Sequence, residues 1–291
     1  MGLGMKTAEL AAYAGEQVEY QVGKFYTVTL GNGHSAQFQR CTTIVGTLPK
    51  PWMGRWASKM VAEYANEHWK RLATVDTATR EKELKGAPWA KRDAAGDRGT
   101  IIHNTIDKFI SGGTLDIEMT PDEKACSMGA VSFLSGAGLG TRNARTEVSV
   151  INSHYGIAGT VDLIDRSLDG TRWMLDWKTS RSIYSEHAVQ QAVYQKSTFA
   201  LYDKKEIGNN KWLATLVPWE PADRIGIVHV TPTHCKMHEI RPDQWERLWT
   251  VARAARHIKQ WKDDTDDYGR RAKTRTFEEP TTYTSSGEKD G

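Results

Sequence analysis

Two apolar segments joined by a short turn, AGTVDLID at residues 158–165 and RWMLDWKT at residues 172–179, decide how this chain is expected to fold. β-Branched and aromatic residues are frequent in both segments, which is typical of strands. The turn SLDG between them contains Asp169-Gly170, a pair that favours a tight hairpin. The two segments are therefore predicted to form adjacent antiparallel strands.

Three charged residues interrupt these apolar strands. Because side chains alternate between the faces of a strand, Asp176 and Lys178 are predicted to share one face. Hairpin pairing would bring Asp162 beside Asp176. Two close carboxylates repel each other unless a cation lies between them, and hard oxygen ligands favour Mg²⁺ or Mn²⁺ over zinc. The pattern predicts a divalent metal site.

Such a site suits phosphodiester hydrolysis. The metal can polarise a phosphate and lower the pKa of a bound water, while Lys178 holds that water and balances charge on the phosphoryl oxygens. The alternative is that the three residues lie on the surface and form a solvated salt bridge worth about 0 to 1 kcal/mol. The apolar residues around the charges favour the metal site.

Upstream of these strands the sequence predicts one hairpin and three helices. FYTVTL and SAQFQR flank Asn32-Gly33, which suits a hairpin turn. An amphipathic helix is expected from Trp52 to about Arg71, and a second from Pro88 to Ile110, following a charged segment at 77–86 and with a break near 96–99. Thr120-Pro121-Asp122-Glu123 is typical of a helix start, and this helix is expected to end near Gly136.

A further strand is predicted at TEVSVI, just before the two segments. After them, strands are predicted at RIGIVHV and KMHEI, and helices at 185–202 and from Pro242 to about Trp261. The whole order indicates an α/β fold, with a mixed central sheet flanked by helices. We expect an N-terminal hairpin and helical extension at 1–96, the core at 97–262 and a flexible tail at 263–291.

Composition excludes some classes of protein. The formal charge of +3 is too small to indicate a nucleic-acid partner, so any basic binding surface must be local. The three cysteines are odd in number and far apart, which argues against a disulfide framework and favours a cytoplasmic setting. No apolar stretch approaches the roughly 18 residues of a membrane span, so no membrane partner is expected.

Four short motifs occur in a fixed order along the chain. They are R-G-T-x-x-H at 98–103, G-T-V-D at 159–162, D-W-K-T at 176–179 and Q-x-x-x-Y at 190–194. In this order they resemble the signature of the RecB-like branch of the PD-(D/E)XK nucleases, which includes phage-encoded and CRISPR-associated exonucleases. The resemblance implies a restriction-endonuclease-like core and a Mg²⁺- or Mn²⁺-dependent deoxyribonuclease.

The resemblance also implies roles for individual residues. Lys178 matches the catalytic lysine, and the metal ligands implied are His103, Asp162, Asp176 and the backbone carbonyl of Trp177. Glu147 resembles an acid that some members carry on the first strand, where it supports a second metal or its water shell. Gln190 and Tyr194 would contact DNA or orient the lysine. The iron-sulfur members carry four cysteines around the core, so no iron-sulfur cluster is expected here.

Several of these residues have simpler interpretations. His103 shares a helical stripe with Ile106 and Ile110, which is equally typical of a packed core histidine. Glu147 could be a surface strand residue, and Gln190 and Tyr194 could belong to a solvated helix face.

Two other groups of residues receive no functional assignment. Four tryptophans could either stack on bases or pack in the core, and packing is favoured for most of them; they are Trp52, Trp56, Trp69 and Trp89. A basic cluster could touch phosphate or be merely solvated; it consists of Arg270, Arg271, Lys273 and Arg275.

The function implied by the resemblance is a DNA exonuclease, in phage-type recombination or replication, with a strand-annealing recombination protein as a further partner. If phage-encoded, it would act in the host cytoplasm. Two alternatives remain open. An endonuclease of the same fold would use the same ligands and would also cut circular DNA, whereas a non-catalytic DNA-binding module would not require Asp162, Asp176 and Lys178.

Overall fold

The computed structural model describes residues 7–113, 118–140 and 143–272, except for the side chains of 95, 97, 98 and 266–272. In chain order the elements are α1 Thr7–Ala11, β1 Gln17–Val22, β2 Phe25–Thr29, β3 Ser35–Arg40, α2 Cys41–Val45, α3 Met53–Leu72, α4 Thr77–Ile110, α5 Pro121–Gly136, β4 Arg145–Asn152, β5 Ile157–Arg166, β6 Arg172–Lys178, α6 Ser185–Gln195, β7 Phe199–Gly208, β8 Lys211–Pro218, β9 Arg224–Val230, β10 Cys235–Ile240, a 3-10 turn Pro242–Gln244 and α7 Trp245–Ala272.

The strands of the described residues form one large mixed sheet in the order β10-β9-β6-β5-β3-β2-β1-β8-β7-β4. β3 pairs in parallel with β5, and β6 with β9, whereas the other neighbours are antiparallel. β4 also pairs with β5, so the strands from β5 round to β4 close into a ring. A buried cluster drawn from these strands and from Leu10 of α1 fills this ring, including Val18, Tyr26, Phe38 and Leu216.

Helices cover both faces of the sheet around β5, β6 and β9. On one face Ile44 of α2, Val193 of α6 and Trp249 of α7 pack with these strands. On the other face Ile102 of α4 and Leu134 of α5 do so. This α/β arrangement removes the middle of β5 and β6 from water, and charged residues there are buried with it.

The local predictions for turns and caps are confirmed. The hairpin at Asn32-Gly33 joins β2 and β3 with Thr29 opposite Ser35. Thr120 and Glu123 form the capping box of α5, in which the Glu123 carboxylate accepts a hydrogen bond from the Thr120 N–H at 2.8 Å. β5 and β6 are antiparallel, with Leu163 opposite Leu175.

The prediction for α4 was wrong at its start. The helix begins at Thr77, because the Asp76 side chain accepts a hydrogen bond from the Thr79 N–H at 3.0 Å and caps the first turn. The charged segment 77–86 is therefore helical, and Pro88 lies inside the helix. The helix is unbroken at 96–99, so the expected boundary between residues 96 and 97 falls within α4.

The prediction for α6 was wrong at its end. The helix ends at Gln195, and Phe199, Ala200 and Leu201 belong to β7, where they pair with β4 and β8. A short apolar run is compatible with a buried strand as well as with a buried helix. Here the segment is a strand because it pairs with β4 and β8. Strands β1, β7 and β8 were not expected from the sequence.

The two ends of the chain also differ from expectation. β1, β2 and β3 belong to the same sheet as the expected core, and α7 continues past Trp261 to Ala272. The basic cluster predicted near the end lies outside the described residues, since neither the side chains of Arg270 and Arg271 nor Lys273 and Arg275 are described. Within the described ranges no helix is both long and apolar enough to span a membrane.

Candidate metal centre

Asp162 lies where the pairing of β5 with β6 ends. The ladder runs from Arg166 opposite Arg172 to Leu163 opposite Leu175, and one further step would set Asp162 opposite Asp176. There the Asp162 Oδ2 accepts a hydrogen bond from the Trp177 N–H at 2.8 Å. The side chain of Asp162 therefore contacts β6 at the position where the backbone ladder stops.

His103 reaches this point from α4. Its Nε2 lies 3.1 Å from the carbonyl oxygen of Trp177, and its Nδ1 lies 3.6 Å from the Asp162 Oδ2. A neutral imidazole that donates through Nε2 turns the lone pair of Nδ1 toward a carboxylate, which is repulsive. A proton or a metal ion between these two atoms would remove the repulsion.

Glu147 completes a group of three. One potential ligand atom each from His103, Glu147 and Asp162 lies within 4.8 Å of the other two. Glu147 has a φ of 50°, so its backbone is left-handed in the middle of β4. For a residue other than glycine this conformation is uncommon and costs of order 1–3 kcal/mol, and it concentrates at functional sites. The alternative that Glu147 is an ordinary surface strand residue does not account for it.

Asp176 and Lys178 form a second group on the face of β6 toward α6. Asp176 is 1% exposed, and its Oδ2 lies 2.5 Å from the Lys178 Nζ. Apart from this ammonium, neither carboxylate oxygen of Asp176 meets a hydrogen-bond donor among the described residues. Such unmet acceptors are costly to bury, and a cation would satisfy them.

Burial and neighbouring charges shift the pKa values of the acids. Burial raises the pKa of Asp162, against the opposing effect of His103 and Lys178. Burial likewise raises the pKa of Asp176, Lys178 opposes this shift, and the negative charge of Asp162 adds to it. The pKa of Glu147 is also raised by burial. Three carboxyl groups with raised pKa values in one place favour a bound cation, because it would stabilise their charged forms.

Lys178 is held in its charged form. Burial acts to lower its pKa, but the charges of Asp176 and Asp162 outweigh burial and raise it. The ammonium group is therefore a fixed positive charge beside the acids.

Gln190 and Tyr194 lie on α6 against the same strands. The Gln190 Nε2 donates a hydrogen bond to the Tyr194 hydroxyl at 2.7 Å, and both side chains are buried. A Cβ atom at Gly159 would lie 2.4 Å from the Tyr194 Cε1, so the glycine of G-T-V-D makes room for the tyrosine ring. The solvated-face alternative is wrong for these two residues, and their burial favours a positioning role over direct contact with DNA.

The R-G-T and D-W-K-T motifs meet in space. A Cβ atom at Gly99 of α4 would lie 3.1 Å from the Thr179 Oγ1, so the glycine lets α4 approach the end of β6. This approach places His103, one helical turn later, beside Trp177. The side chain of Arg98 lies outside the described residues.

Two neighbours of Asp176 and Lys178 were not assigned from the sequence. The charges of both residues act on the Cys41 thiol, whose pKa burial raises, and on the His187 imidazole. Burial lowers the pKa of His187 to about 4. Cys41 follows directly after β3, far away in sequence, and no motif there indicates its place. His187 lies on the α6 stripe of Gln190 and Tyr194, and that spacing was its only signal.

Taken together, the donors fit a hard divalent cation. Carboxylate and carbonyl oxygens are the ligands that Mg²⁺ and Mn²⁺ prefer, and the single imidazole is compatible with Mn²⁺. The predicted site residues thus lie in two neighbouring groups. His103, Glu147, Asp162 and the Trp177 carbonyl form one, and Asp176 with Lys178 forms the other.

Comparisons with known proteins give no functional assignment. No protein-family model matches this sequence, and no curated protein matches it. Among solved structures, one described as the crystal structure of SSO0001 is similar at 20% sequence identity, over 73% of each chain, with a TM-score of 0.29. A TM-score this low carries no inference about fold or function, so function has to be inferred from the residues of the site.

Proposed function

We propose that this protein is a Mg²⁺- or Mn²⁺-dependent deoxyribonuclease with a restriction-endonuclease-like core. The observation that carries the proposal is the convergence of His103, Glu147 and Asp162 next to the buried Asp176–Lys178 pair. The resemblance of the four ordered motifs, which contain these same residues except Glu147, to the RecB-like nucleases supports it. The exonuclease preference, a role in phage-type recombination or replication and a strand-annealing partner rest on that resemblance alone.

The residues of the proposed site would have different roles. His103, Asp162, Asp176 and the Trp177 carbonyl would hold the metal, and Glu147 would support it. When bound, the metal would polarise the scissile phosphate and lower the pKa of a coordinated water.

Lys178 has a distinct task. The charges of Asp176 and Asp162 raise the pKa of Lys178, so the Nζ atom carries a positive charge beside them. This charge would stabilise the negative charge that develops on the phosphoryl oxygens. Asp176 holds the ammonium in place through its Oδ2.

A DNA degradation assay tests the proposal. Linear and circular DNA would be incubated with Mg²⁺, Mn²⁺ or EDTA and with wild type, Asp176→Ala and, as a control, Asp93→Ala. Asp93 is an exposed acid on α4. We expect metal-dependent loss of linear DNA with wild type and Asp93→Ala, and a loss of at least a hundredfold in rate with Asp176→Ala.

The same assay separates the alternatives. Cleavage of circular DNA would identify an endonuclease of the same fold. Binding of DNA without cleavage in either metal would identify a non-catalytic module. Equal activity of Asp176→Ala and wild type would rule out the proposed centre.

A further inference from the structure

Three aromatic rings line up beside the candidate metal centre. Trp52, just before α3, stacks on Tyr184, just before α6, with ring centroids 5.1 Å apart and planes inclined by 13°. Tyr184 in turn meets the His187 ring edge-on, at 5.5 Å and 76°. We refer to Trp52, Tyr184 and His187 as the aromatic platform.

The platform begins at the buried ion pair. Residues 179–183 connect Lys178 at the end of β6 to Tyr184, and the charges of Lys178 and Asp176 both act on the His187 ring. Arg181, within this connection, is exposed, and its positive charge suits a backbone phosphate. The His187 end of the platform therefore lies near the Asp176–Lys178 pair, where a scissile phosphate would lie.

The Trp52 side chain is not required to hold the chain before α3 against the start of α6. A salt bridge from the Lys50 Nζ to the Glu186 Oε1, at 3.3 Å, already joins the chain before α3 to the start of α6. Trp52 nevertheless remains 38% exposed, although one ring face is stacked on Tyr184. An indole that is oriented by a neighbouring ring and still open to solvent is suited to stack on a further flat group.

We propose that the aromatic platform binds an unpaired nucleobase next to the phosphate that is cut, and so gives the enzyme a preference for single-stranded or frayed DNA ends. This inference rests on the proposed nuclease function. Base stacking on an aromatic side chain is tolerant of sequence, because every base has a flat face. The platform would thus position a strand without selecting a sequence.

Substitutions of Trp52 and abasic substrates test the platform together. The substrates are single-stranded oligonucleotides that carry one abasic site at successive positions, cut in Mn²⁺ by wild type, Trp52→Ala, Trp52→Phe and Trp69→Ala. Trp69 is the matched control, since it lies on α3 and is 62% exposed. Binding of a labelled oligothymidine in EDTA is followed by anisotropy, and thermal melting checks that each variant folds.

We expect Trp52→Ala to raise KM roughly tenfold with little change in kcat, and Trp52→Phe to retain most of the wild-type affinity. Wild type should slow at a fixed distance from each abasic site, whereas Trp52→Ala should not. Trp69→Ala should behave as wild type. In the binding assay Trp52→Ala should bind the oligothymidine more weakly by the same factor by which its KM rises.

The proposal is overturned if Trp52→Ala binds and cuts as wild type does, or if wild type passes abasic sites without slowing. It is also overturned if Trp52→Phe loses as much affinity for the oligonucleotide as Trp52→Ala while both variants have the melting temperature of wild type. If no variant cuts DNA, the proposed function fails, and the anisotropy then decides the platform alone. Trp52-dependent binding would retain it, and equal binding by all variants would reject it.

Discussion

A single glycine connects two of the sequence motifs. Gly159 of β5 lies under the buried ring of Tyr194, and the clearance leaves no room for a methyl group. The glycine of G-T-V-D and the tyrosine of Q-x-x-x-Y are therefore complementary in shape. Tyr194 is only 2% exposed and has no open side toward which to move.

Gly159→Ala is expected to lower the free energy of unfolding by about 1–3 kcal/mol, because the new methyl group overlaps the Tyr194 ring in a packed core. Urea denaturation measures this loss. Gly54→Ala is the control, since a Cβ atom there meets nothing within 4 Å, and its effect should stay below about 1 kcal/mol. If Gly159→Ala is as stable as wild type, the packing of Tyr194 over β5 is different from that described.

His187 should make stability depend on pH. Its folded pKa of about 4 lies below its ordinary value of 6.5, so the unfolded chain takes up the proton first. Stability is then complete above pH 6.5 and is lost as pH falls toward 4. After allowance for partial exposure the loss is about 1–2 kcal/mol.

His187→Gln should remove this part of the pH dependence, since glutamine can accept the same hydrogen bond from the Tyr184 N–H without titrating. Urea denaturation at pH 7.5, 5.5 and 4.5 in EDTA compares the two proteins. Because other acids titrate in the same range, the difference between variant and wild type is the quantity of interest. If the free energy of unfolding depends on pH in the same way in both proteins, the described environment of His187 is contradicted.

At the scale of elements, local signals predicted what local physics determines. The turn at Asp169-Gly170 and the capping box of Thr120 and Glu123 each involve only residues that are close in sequence, and both form as predicted. β7 could not be predicted in the same way. Its first residues are an apolar run and the rest are charged, so only pairing with β4 and β8 shows it to be a strand.

The start of α4 depends on one local contact. Asp76→Ala removes the cap and should cost about 0.5–2 kcal/mol in the free energy of unfolding. Helicity followed by circular dichroism should fall slightly as the first turns fray. Asp93→Ala, in the middle of the same helix, has no capping role and serves as the control. Equal stability of the two variants would favour a helix that begins nearer Pro88.

At the scale of the whole molecule, the site lies where two parts of the sheet meet. β5 closes the ring by pairing with β3 and β4, and it also pairs with β6 in the layer covered by helices. β4 supplies Glu147, β5 Asp162 and β6 Asp176, while α4 crosses over them with His103. Residues separated by more than seventy positions thus meet because of the topology.

The sequence indicated which of these residues would come together but not how they are grouped. Alternation along β6 correctly set Asp176 and Lys178 on one face. It could not show that Asp162 would contact the Trp177 N–H and His103, because that depends on where the β5–β6 ladder ends. The left-handed backbone of Glu147 has no local sequence signal, since glutamate seldom adopts it.

Binding of Mn²⁺ to the isolated protein tests the central claim most directly. Electron paramagnetic resonance of free Mn²⁺, titrated with wild type, Asp162→Asn, His103→Gln and the control Asp93→Asn, gives the number and affinity of sites without DNA. We predict at least one site in wild type and in Asp93→Asn, weakened at least tenfold by His103→Gln and more by Asp162→Asn, with all four proteins folded. Equal Mn²⁺ affinity in wild type and Asp162→Asn would contradict the account.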